Sequence, residues 1–477
     1  MTKDKAMLKR KDSLSVITSE YELEGRIPTG KAILLGMQHV LAMFVGNLTP
    51  ILVIGGACSL GDAGMMVPVI QNAMLIAGLV TLVQLWTIGP IGARLPCVMG
   101  TSSGFIGVCS GVAGTMGGGV VAYGAILGAC FIGGIFEMIL GFMLKPLRKF
   151  FPSVVTGTVV TAIGLSLISV GINSFGGGNN KDFGSPTNLL VGLAVLISII
   201  LLKHFTKGIW SAASILFGII IGYIICALLP LFMDTTYVVE GETFVHAWVL
   251  QWDKVAAAAW FAIPRVMPVK FVFDARAIIP IMIMFIVTAV ETVGDLSGIT
   301  EGGLGREATD KELSGGVACD GIGSTFASLF GVLPNTSFSQ NVGLVGMTKI
   351  VNLYAITMGA IFLVLCGFCP KLAAIVQLMP QSVLGGAAVM MFASIVVSGI
   401  QLISKEGIGN REVTIVAVSL GLGYGLGSTA NVLSMMPPYV TYIFGGSGIV
   451  PAAICAIILN IALKKDPEEK EVEPLWD

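Results

Sequence analysis

The sequence predicts an all-α polytopic membrane protein, and three observations support this fold class. Hydrophobic residues make up 55% of the 477 residues and charged residues only 12%, whereas soluble proteins carry about 25% charged residues. The mean hydropathy is +0.90. The 62 glycines fit as well, because glycine lets membrane helices approach each other closely. We therefore expect the chain to cross the bilayer many times.

Apolar segments of about 20 residues, the length that a helix needs to cross a bilayer, recur along the chain. We identify fourteen, seven on each side of a long polar loop near 233–275. The third and the tenth are interrupted by glycine and polar residues. The segments cover residues 31–56, 66–86, 91–112, 118–143, 153–173, 188–203, 209–232, 276–299, 313–333, 338–351, 353–377, 381–402, 412–435 and 441–463.

The charge distribution predicts the orientation of these spans. Cytoplasmic loops collect Lys and Arg, and fourteen spans with both termini in the cytoplasm place 21 of the 27 basic residues inside. Residues 1–30 carry both charge signs and lack the apolar core of a cleavable signal peptide. We expect cytosolic tails at 1–30 and 464–477. The net charge of −1 gives no basic footprint for nucleic acid.

Two pairs of segments predict a seven-plus-seven inverted repeat. FPSVVTGTVVTAIGLSLISVGI at 151–172 aligns without gaps to MPQSVLGGAAVMMFASIVVSGI at 379–400, and LPCVMGTSSGFIGV at 95–108 aligns to LPNTSFSQNVGLVG at 333–346. An odd number of spans per copy inverts the second copy in the membrane. Inverted repeats with broken helices are typical of secondary transporters. Chance similarity between apolar segments is the alternative.

The two Leu-Pro segments favour strand over helix. Pro96 and Pro334 stop a preceding helix, and each is followed by small hydroxyl residues. Irregular backbone is tolerated at membrane depth only where protein or a watery cavity satisfies it. We expect the two segments to face each other across a cavity, where free N–H groups and helix N-termini offer donors to a ligand. The hydroxyl residues are Thr101, Ser102, Ser103, Thr336, Ser337 and Ser339.

We select five ionisable residues within predicted spans, His39, Glu137, Glu291, Asp295 and Asp320, because a charge there costs about 2.5–3.5 kcal/mol on insertion scales. Glu291 and Asp295 are four apart and share one helical face. Two carboxylates on one face resist double ionisation, so the pair is a candidate for proton coupling; a pair of structural hydrogen-bonding groups is the alternative. His39 and Asp320 have either a coupling or a structural role. We expect Glu137 to be structural or to lie at the lipid interface.

Gln340 and Asn341 end the irregular segment of span ten. An amide offers both a donor and an acceptor, so it can read the edge of a heterocycle or cap a helix. Asn341 lies where the broken helix should restart, so we expect it to cap that helix. We expect Gly343 to permit close packing.

These motifs resemble the nucleobase–ascorbate transporter family, also called nucleobase:cation symporter-2. The stretch QNVGLVGMTK at 340–349 matches the family signature Q/E-N-x-G-x-x-x-x-T-R/K/G, and Gln38-His39 matches its Gln-His motif on the first span. The resemblance covers residues 30–463 and points to the xanthine and uric acid permease branch. The family's carboxylates on spans eight and nine match Glu291, Asp295 and Asp320.

The resemblance implies a core domain of spans 1–4 and 8–11 and a gate domain of spans 5–7 and 12–14, which forms a homodimer. It also implies short antiparallel strands in segments 3 and 10. The corresponding boundaries are 1–30 for the N-terminal tail, 31–143 for the first core half, 144–275 for the first gate half with the connecting loop, 276–378 for the second core half, 379–463 for the second gate half and 464–477 for the C-terminal tail.

The resemblance also implies the roles of the site residues. Glu291 accepts hydrogen bonds from ring N–H groups of the substrate, and Gln340 makes a second, bidentate contact. Ser102 and Ser103 fall where the family contacts substrate. Many relatives carry an aromatic residue at the position of Ser103, and Phe105 is the nearest aromatic that could flank the base instead. Supporting roles fall to Gln38, His39, Asp295, Asp320 and Asn341.

Gln340 favours a purine, xanthine and/or uric acid, because an amide can donate to a carbonyl-rich dioxopurine; uracil transporters of the family tend to carry Glu there. The expected function is purine import across the cell membrane by proton symport with elevator-like alternating access. We expect no enzymatic activity, no metal and no cofactor, and a proton rather than sodium as the coupling ion. The alternatives are a uracil permease of the same family and an anion exchanger of the sulfate-permease type.

Overall fold

The computed structural model describes residues 17–144, 152–178, 180–239, 242–405, 407–429, 432–437, 440–441, 444 and 448–463. The predicted C-terminal tail and residues 1–16 of the predicted N-terminal tail lie outside these residues. The described part is mostly helical, as the sequence predicts.

The first half of the chain contains strand β1 (Met99–Thr101) between its second and third helices. The loop between the halves holds β2 (Thr236–Val239), β3 (Glu242–Val245) and the short helix α9 (Trp252–Ala257). A 3-10 turn (Leu229–Leu231) precedes this loop. The helices of the first half are α1 (Thr29–Ala57), α2 (Met66–Trp86), α3 (Phe105–Thr115), α4 (Gly119–Phe142), α5 (Ser153–Phe175), α6 (Pro186–Phe205), α7 (Ile209–Ala212) and α8 (Ser214–Leu228).

The second half contains strand β4 (Asn335–Ser337) between its second and third helices. The predicted spans three and ten are thus each a strand followed by a short helix. The helices of the second half are α10 (Ala275–Leu304), α11 (Asp310–Leu329), α12 (Ser339–Thr348), α13 (Leu353–Cys366), α14 (Pro370–Gln377), α15 (Gln381–Ser404), α16 (Asn410–Ser428) and α17 (Ile449–Ala462).

Eight helices of the described part are long and apolar enough to cross a membrane, and a ninth span results if α13 and α14, which meet at a bend of 85°, are taken together. The protein is therefore a multi-pass membrane protein. Helices α3 and α17 are apolar but short. The predicted last span at 441–463 runs in part through residues outside the described part. The total of fourteen spans stays a prediction.

Strands β1 and β4 pair in antiparallel register, which confirms the short strands predicted in segments 3 and 10. Met99 pairs with Ser337, which is the residue at the same place in the second Leu-Pro segment. Because a two-stranded ribbon leaves one edge of each strand unpaired, neighbouring helices must supply hydrogen bonds to the outer backbone groups.

Helices α5 and α15, which contain the other pair of aligned segments, cross where Gly157 meets Gly399. A Cβ atom at Gly157 would lie 2.7 Å from the carbonyl oxygen of Gly399, and a Cβ atom at Gly399 would lie 2.8 Å from the carbonyl oxygen of Gly157. Small residues at a crossing let two membrane helices approach to backbone contact. The glycines therefore fix how the two repeat-related segments meet.

The helices pack in two groups. In one group α4 packs on α10 and α11, while α13 packs on α1 and α2; β1 and β4 lie among these helices. In the other group α5 packs on α15, α6 packs on α8 and α15, and α16 packs on α17. Contacts between α10 and α5 connect the two groups, and Lys405 on the second forms a 2.6 Å ion pair with Glu301 on the first.

The segment before α1 lies against the start of α13. The backbone N–H of Val351 donates to the carbonyl oxygen of Glu20 at 3.1 Å, and that of Leu353 donates to Leu23 at 3.0 Å. The ammonium group of Lys31 lies 2.6 Å from the Glu20 carboxylate and lowers the pKa of Glu20 by hydrogen bonding to its charged form. The segment before α1 and the end of the signature stretch therefore lie at the same end of the molecule.

Candidate functional site

The outer edges of the paired strands are satisfied by buried side chains. The backbone N–H of Thr101 donates to Asn47 Oδ1 at 2.7 Å, and the backbone N–H of Asn335 donates to Ser324 Oγ at 3.0 Å. Asn47 and Ser324 are both fully buried. Sequence analysis did not select these two residues, although polar side chains at membrane depth are the signal that could have found them. The strands are therefore held rigidly in the apolar interior.

The ring of Phe338 fills the space between α1 and β1. A Cβ atom at Gly46 would lie 2.7 Å from Phe338 Cε1, and one at Gly100 would lie 2.6 Å from Phe338 Cε2. Real Cβ atoms do not approach so closely, so both positions require glycine unless the ring moves. Phe338 precedes α12, so this packing fixes where the helix restarts.

Asp295 on α10 accepts hydrogen bonds from two hydroxyls of the second broken span. Ser337 Oγ donates to Asp295 Oδ2 at 2.6 Å, and Ser339 Oγ donates to the same oxygen at 3.1 Å. Hydrogen bonds to a carboxylate are stronger than those between neutral groups. The carboxyl predicted to support the site therefore connects α10 to both β4 and α12.

Thr292 connects the same region to α11. Its hydroxyl donates a short hydrogen bond to Asp320 Oδ2 and lies 3.1 Å from Ser337 Oγ. Asp320 is fully buried, and its Oδ1 has no hydrogen-bond partner in the described part of the chain. The two predicted supporting carboxyls, Asp295 and Asp320, are thus joined through Thr292 and Ser337.

Glu291 and Gln340 are sequence neighbours of this network, and neither side chain forms a hydrogen bond among the described residues. Glu291 lies one turn before Asp295 and is half-buried; its Oε2 is buried and has no hydrogen-bond partner among the described residues. Gln340 is half-buried and follows Ser339, which contacts Asp295. The two predicted substrate-binding residues therefore lie on two helices, α10 and α12, that pack against each other.

Asn341 does not cap α12, so the prediction made for it is wrong. The helix begins at Ser339, and its preceding residue, Phe338, makes no side-chain cap. Asn341 is already inside the first turn. Its Nδ2 donates to the carbonyl oxygen of His39 at 2.9 Å and lies 3.3 Å from His39 Nδ1. Asn341 thus joins α12 to α1, because its side chain faces that helix rather than the free backbone N–H groups.

His39 is fully buried on α1, and its Nε2 has no hydrogen-bond partner in the described ranges. The neighbouring Gln38 is half-buried. The structure therefore connects the Gln-His motif to the signature stretch through the contact between His39 and Asn341. This contact fits the supporting role that the resemblance implies for His39.

On the first broken span the structure contradicts the flanking role considered for Phe105. Its side chain has no exposed surface and packs against Phe285, with ring centroids 4.8 Å apart. A ligand cannot contact it without displacing that packing. The backbone N–H of Ser102 donates to the carbonyl oxygen of Pro334 at 2.8 Å and continues the strand pairing. Ser103 is half-buried and remains available.

The expectation for Gly343 is wrong. Gly343 is exposed, and a Cβ atom there would meet nothing within 4 Å, so it permits no close packing. Of the two alternatives expected for Glu137, a structural position and the lipid interface, the structure agrees with the first, because Glu137 is fully buried and its Oε1 accepts a hydrogen bond from Thr288 on α10 at 2.9 Å. The partner lies far away in the sequence, so the pattern around Glu137 could not show it.

The arrangement of motifs agrees with a comparison to protein families. The family model Xan_ur_permease, described as Permease family, matches residues 30–431. The chain belongs to this permease family. The resemblance inferred from the Gln-His motif, the signature stretch and the carboxylates is therefore confirmed.

Curated relatives cover almost the whole permease. It is 34% identical to the xanthine permease of Bacillus subtilis, over 93% of this chain and 96% of the relative. It is 33% identical to the uric acid permease PucK of Bacillus subtilis, over 92% of this chain and 97% of the relative. It is 33% identical to the uric acid transporter UacT of Escherichia coli, over 92% of this chain and 87% of the relative.

Solved structures share the fold at low sequence identity. The transmembrane domain of a cyanobacterial bicarbonate transporter, BicA, matches 91% of the permease and 98% of that chain with a TM-score of 0.55 and 15% identity. The structure of SLC26A9 matches 91% of the permease and 65% of that chain with a TM-score of 0.58 and 11% identity. At these identities the likeness concerns the fold alone.

Proposed function

We propose that this permease imports a purine nucleobase, xanthine and/or uric acid, by proton symport with elevator-like alternating access. The observation that supports the proposal is that α10, which carries Glu291, packs against α12, which carries Gln340, next to the paired strands, while Glu291 Oε2 has no hydrogen-bond partner among the described residues. Relatives that cover nearly the whole chain are named as xanthine and uric acid permeases. No cofactor has a part in this proposal.

The chemistry of the two side chains suits a dioxopurine. An ionised carboxylate only accepts hydrogen bonds, so Glu291 is matched to ring N–H groups. The amide of Gln340 both donates and accepts, so it can pair with a carbonyl and an adjacent N–H on the same edge. Helices α3 and α12 begin directly after the strands, and their first N–H groups add donors that favour electron-rich oxygen atoms.

The buried carboxyls supply a basis for proton coupling. None of Glu291, Asp295 and Asp320 forms an ion pair with Lys or Arg in the described part of the chain. An isolated ionised carboxylate is costly in an apolar interior, and such a group binds a proton instead. Uptake and release of protons at these groups can therefore drive the cycle, and titratable groups of this kind favour a proton over sodium.

We also propose that the two helix groups are the core and gate domains, with the predicted boundaries 31–143 and 276–378 for the core and 144–275 and 379–463 for the gate. The two separate sets of helix contacts support this division. The pairing of Met99 with Ser337, which are equivalent positions of the two Leu-Pro segments, supports the seven-plus-seven repeat.

Oligomeric state and orientation complete the proposal. We expect a homodimer through the gate domain and both termini in the cytoplasm. Helices α6 and α8 of the gate group expose rows of apolar side chains, such as Leu190, Leu193, Ile197, Ile220 and Ile224, which suit contact with lipid or with a second copy. The position of the segment before α1 beside Val351 agrees with a basic cytoplasmic face.

The test is uptake of labelled xanthine by cells that express the chain, with uric acid, uracil and hypoxanthine as competitors, with and without a protonophore. Saturable uptake that uric acid blocks, uracil does not block and the protonophore abolishes is the expected result. Uracil-selective uptake would show that the interpretation of Gln340 is wrong. If no nucleobase is taken up, the proposed function is wrong, and an anion exchanger of the sulfate-permease type becomes the preferred alternative.

A further inference from the structure

Glu137 on α4 is a carboxyl that the proposed binding site does not use. It is fully buried. Its Oε1 accepts a hydrogen bond from Thr288 Oγ1 at 2.9 Å, whereas its Oε2 has no hydrogen-bond partner within the described residues. A buried oxygen of this kind is costly if the group is ionised. The geometry therefore calls for a bound proton or a missing partner.

Glu137 lies on a closely packed face of α4. Gly134 and Gly141 lie one turn on either side of Glu137 and bring α4 into backbone contact with α11. A Cβ atom at Gly134 would lie 2.6 Å from the carbonyl oxygen of Gly321, and one at Gly141 would lie 2.9 Å from Ala318 Cα. In such a dry interior a bound proton removes the cost of the buried charge.

The charged groups near Glu137 are also acidic. The carboxyls of Asp320 on α11 and Glu291 on α10 interact with Glu137 by electrostatic repulsion when they are ionised. The third helix packed on α4 is α3, whose Cys109 lies against Cys130 of α4. Within the described ranges no Lys or Arg forms an ion pair with Glu137. Like charges in a low-dielectric interior cannot all be ionised together.

Thr288 lies on α10 between Glu137 and the proposed site. It is one turn before Glu291 and Thr292 on the same face of the helix, and Thr292 donates to Asp320. Within the described residues no hydrogen bond joins Thr288 to Glu291, Thr292 or Asp320. Thr288 therefore holds Glu137 about one helical turn from the carboxyls of the site.

We infer that Glu137 is a proton-binding residue of the transport cycle, which Thr288 orients through its hydrogen bond. In this step the O–H bond of the proton donor, a hydronium ion or a carboxyl of the site, breaks as an O–H bond forms at Glu137. The number of protons does not change. The place of this step in transport depends on the proposed function, whereas proton binding by Glu137 does not.

Infrared spectroscopy of the purified full-length chain tests proton binding without any substrate. A protonated carboxylic acid gives a carbonyl-stretch band that an ionised carboxylate lacks. We expect Glu137→Gln to remove one such band from the wild-type spectrum and Glu137→Asp to restore a band. Glu242→Gln, which changes an exposed residue of β3, is the matched control and should leave the band unchanged. Identical spectra for wild type and Glu137→Gln across the pH range would overturn the inference.

Transport by the same variants in proteoliposomes tests the coupling role. With an imposed gradient of one pH unit and no membrane potential, each coupled proton supports about tenfold accumulation of xanthine. We expect Glu137→Gln and Thr288→Val to lose this accumulation and to keep exchange of labelled for unlabelled xanthine. Equal loss of exchange and accumulation would mean a structural role and overturn the inference. If the wild type transports no nucleobase, the proposed function fails, and the infrared result still decides whether Glu137 binds a proton.

Discussion

The two broken spans, β1 with α3 and β4 with α12, pair with each other and begin from similar Leu-Pro segments, yet their side chains serve different purposes. The second span places Ser337 and Ser339 on Asp295 and Asn341 on His39, and it leaves Gln340 free. The first span contributes mainly backbone groups and packing, as the contact of Phe105 with Phe285 shows. The first broken span therefore acts mainly as scaffold, while the second carries the polar side chains.

This division has a physical reason. Glu291 and Asp295 both lie on α10, which packs directly against α12, so polar side chains of the second span meet carboxyls at once. The first span instead contacts Asn47 of α1 through its backbone. Polar groups at membrane depth are stable only where partners lie nearby, so the polar residues concentrate on the side of the carboxyls.

The largest effect is expected when Glu291, the proposed substrate-binding carboxyl of α10, is replaced. Glu291→Gln removes the charged acceptor, and hydrogen bonds to charged groups contribute about 1.5–3 kcal/mol, or roughly 10- to 100-fold in affinity. We expect xanthine counterflow to fall by that factor while the amount of folded protein in the membrane stays the same. Glu242→Gln is the control. Normal counterflow in Glu291→Gln would show that this carboxyl does not bind the substrate.

An intermediate effect on stability is expected from the scaffold side of the comparison. Gly100→Ala places a methyl group 2.6 Å from both Met43 Cε and Phe338 Cε2, and overpacking of this kind costs about 1–3 kcal/mol. We expect a lower unfolding temperature in detergent. Gly343→Ala is the matched control, because its Cβ atom would meet nothing within 4 Å. If both variants unfold at the same temperature, the packing of Phe338 does not depend on Gly100.

The smallest effect is expected from Phe105→Leu. The loss of the aromatic pair with Phe285 should lower the free energy of unfolding by about 1 kcal/mol, whereas the dissociation constant for xanthine should not change, because Phe105 has no surface that a ligand can reach. Thermal unfolding and equilibrium binding on the same preparation separate the two effects. If Phe105→Leu binds xanthine more weakly and is as stable as the wild type, Phe105 does contact the base, contrary to this account.

Local signals predicted the backbone of this region well. Pro96 and Pro334, each followed by small hydroxyl residues, sufficed to predict two strands, because a proline and its neighbours act on their own chain segment. The choice of Glu291 and Gln340 also depended on local motifs. The structure places Glu291 on α10 and Gln340 on α12, which pack against each other, and their roles in binding stay predictions.

Contacts between distant segments account for what the sequence could not show. Asn341 faces His39, and Glu137 meets Thr288, in each case across a large separation in the chain. Asn47 supports strand β1 because it accepts a hydrogen bond from the backbone N–H of Thr101, and the sequence around Asn47 does not indicate this partner. The burial of Phe105 depends on Phe285. Periodicity along one helix indicates which residues share a face, and it does not indicate which helix that face meets.

Calorimetric binding of xanthine to the purified wild type, Gln340→Ala and Ser103→Ala tests the division between the two spans most directly. Gln340 supplies the proposed side-chain contact, so its removal should weaken binding about tenfold, the effect of one or two lost neutral hydrogen bonds. Ser103, for which the resemblance also implies a substrate contact, lies on the scaffold span, whose contribution we expect to come from backbone groups. Its alanine variant keeps the backbone and should bind as the wild type does. Unchanged binding in Gln340→Ala together with weakened binding in Ser103→Ala would contradict the account.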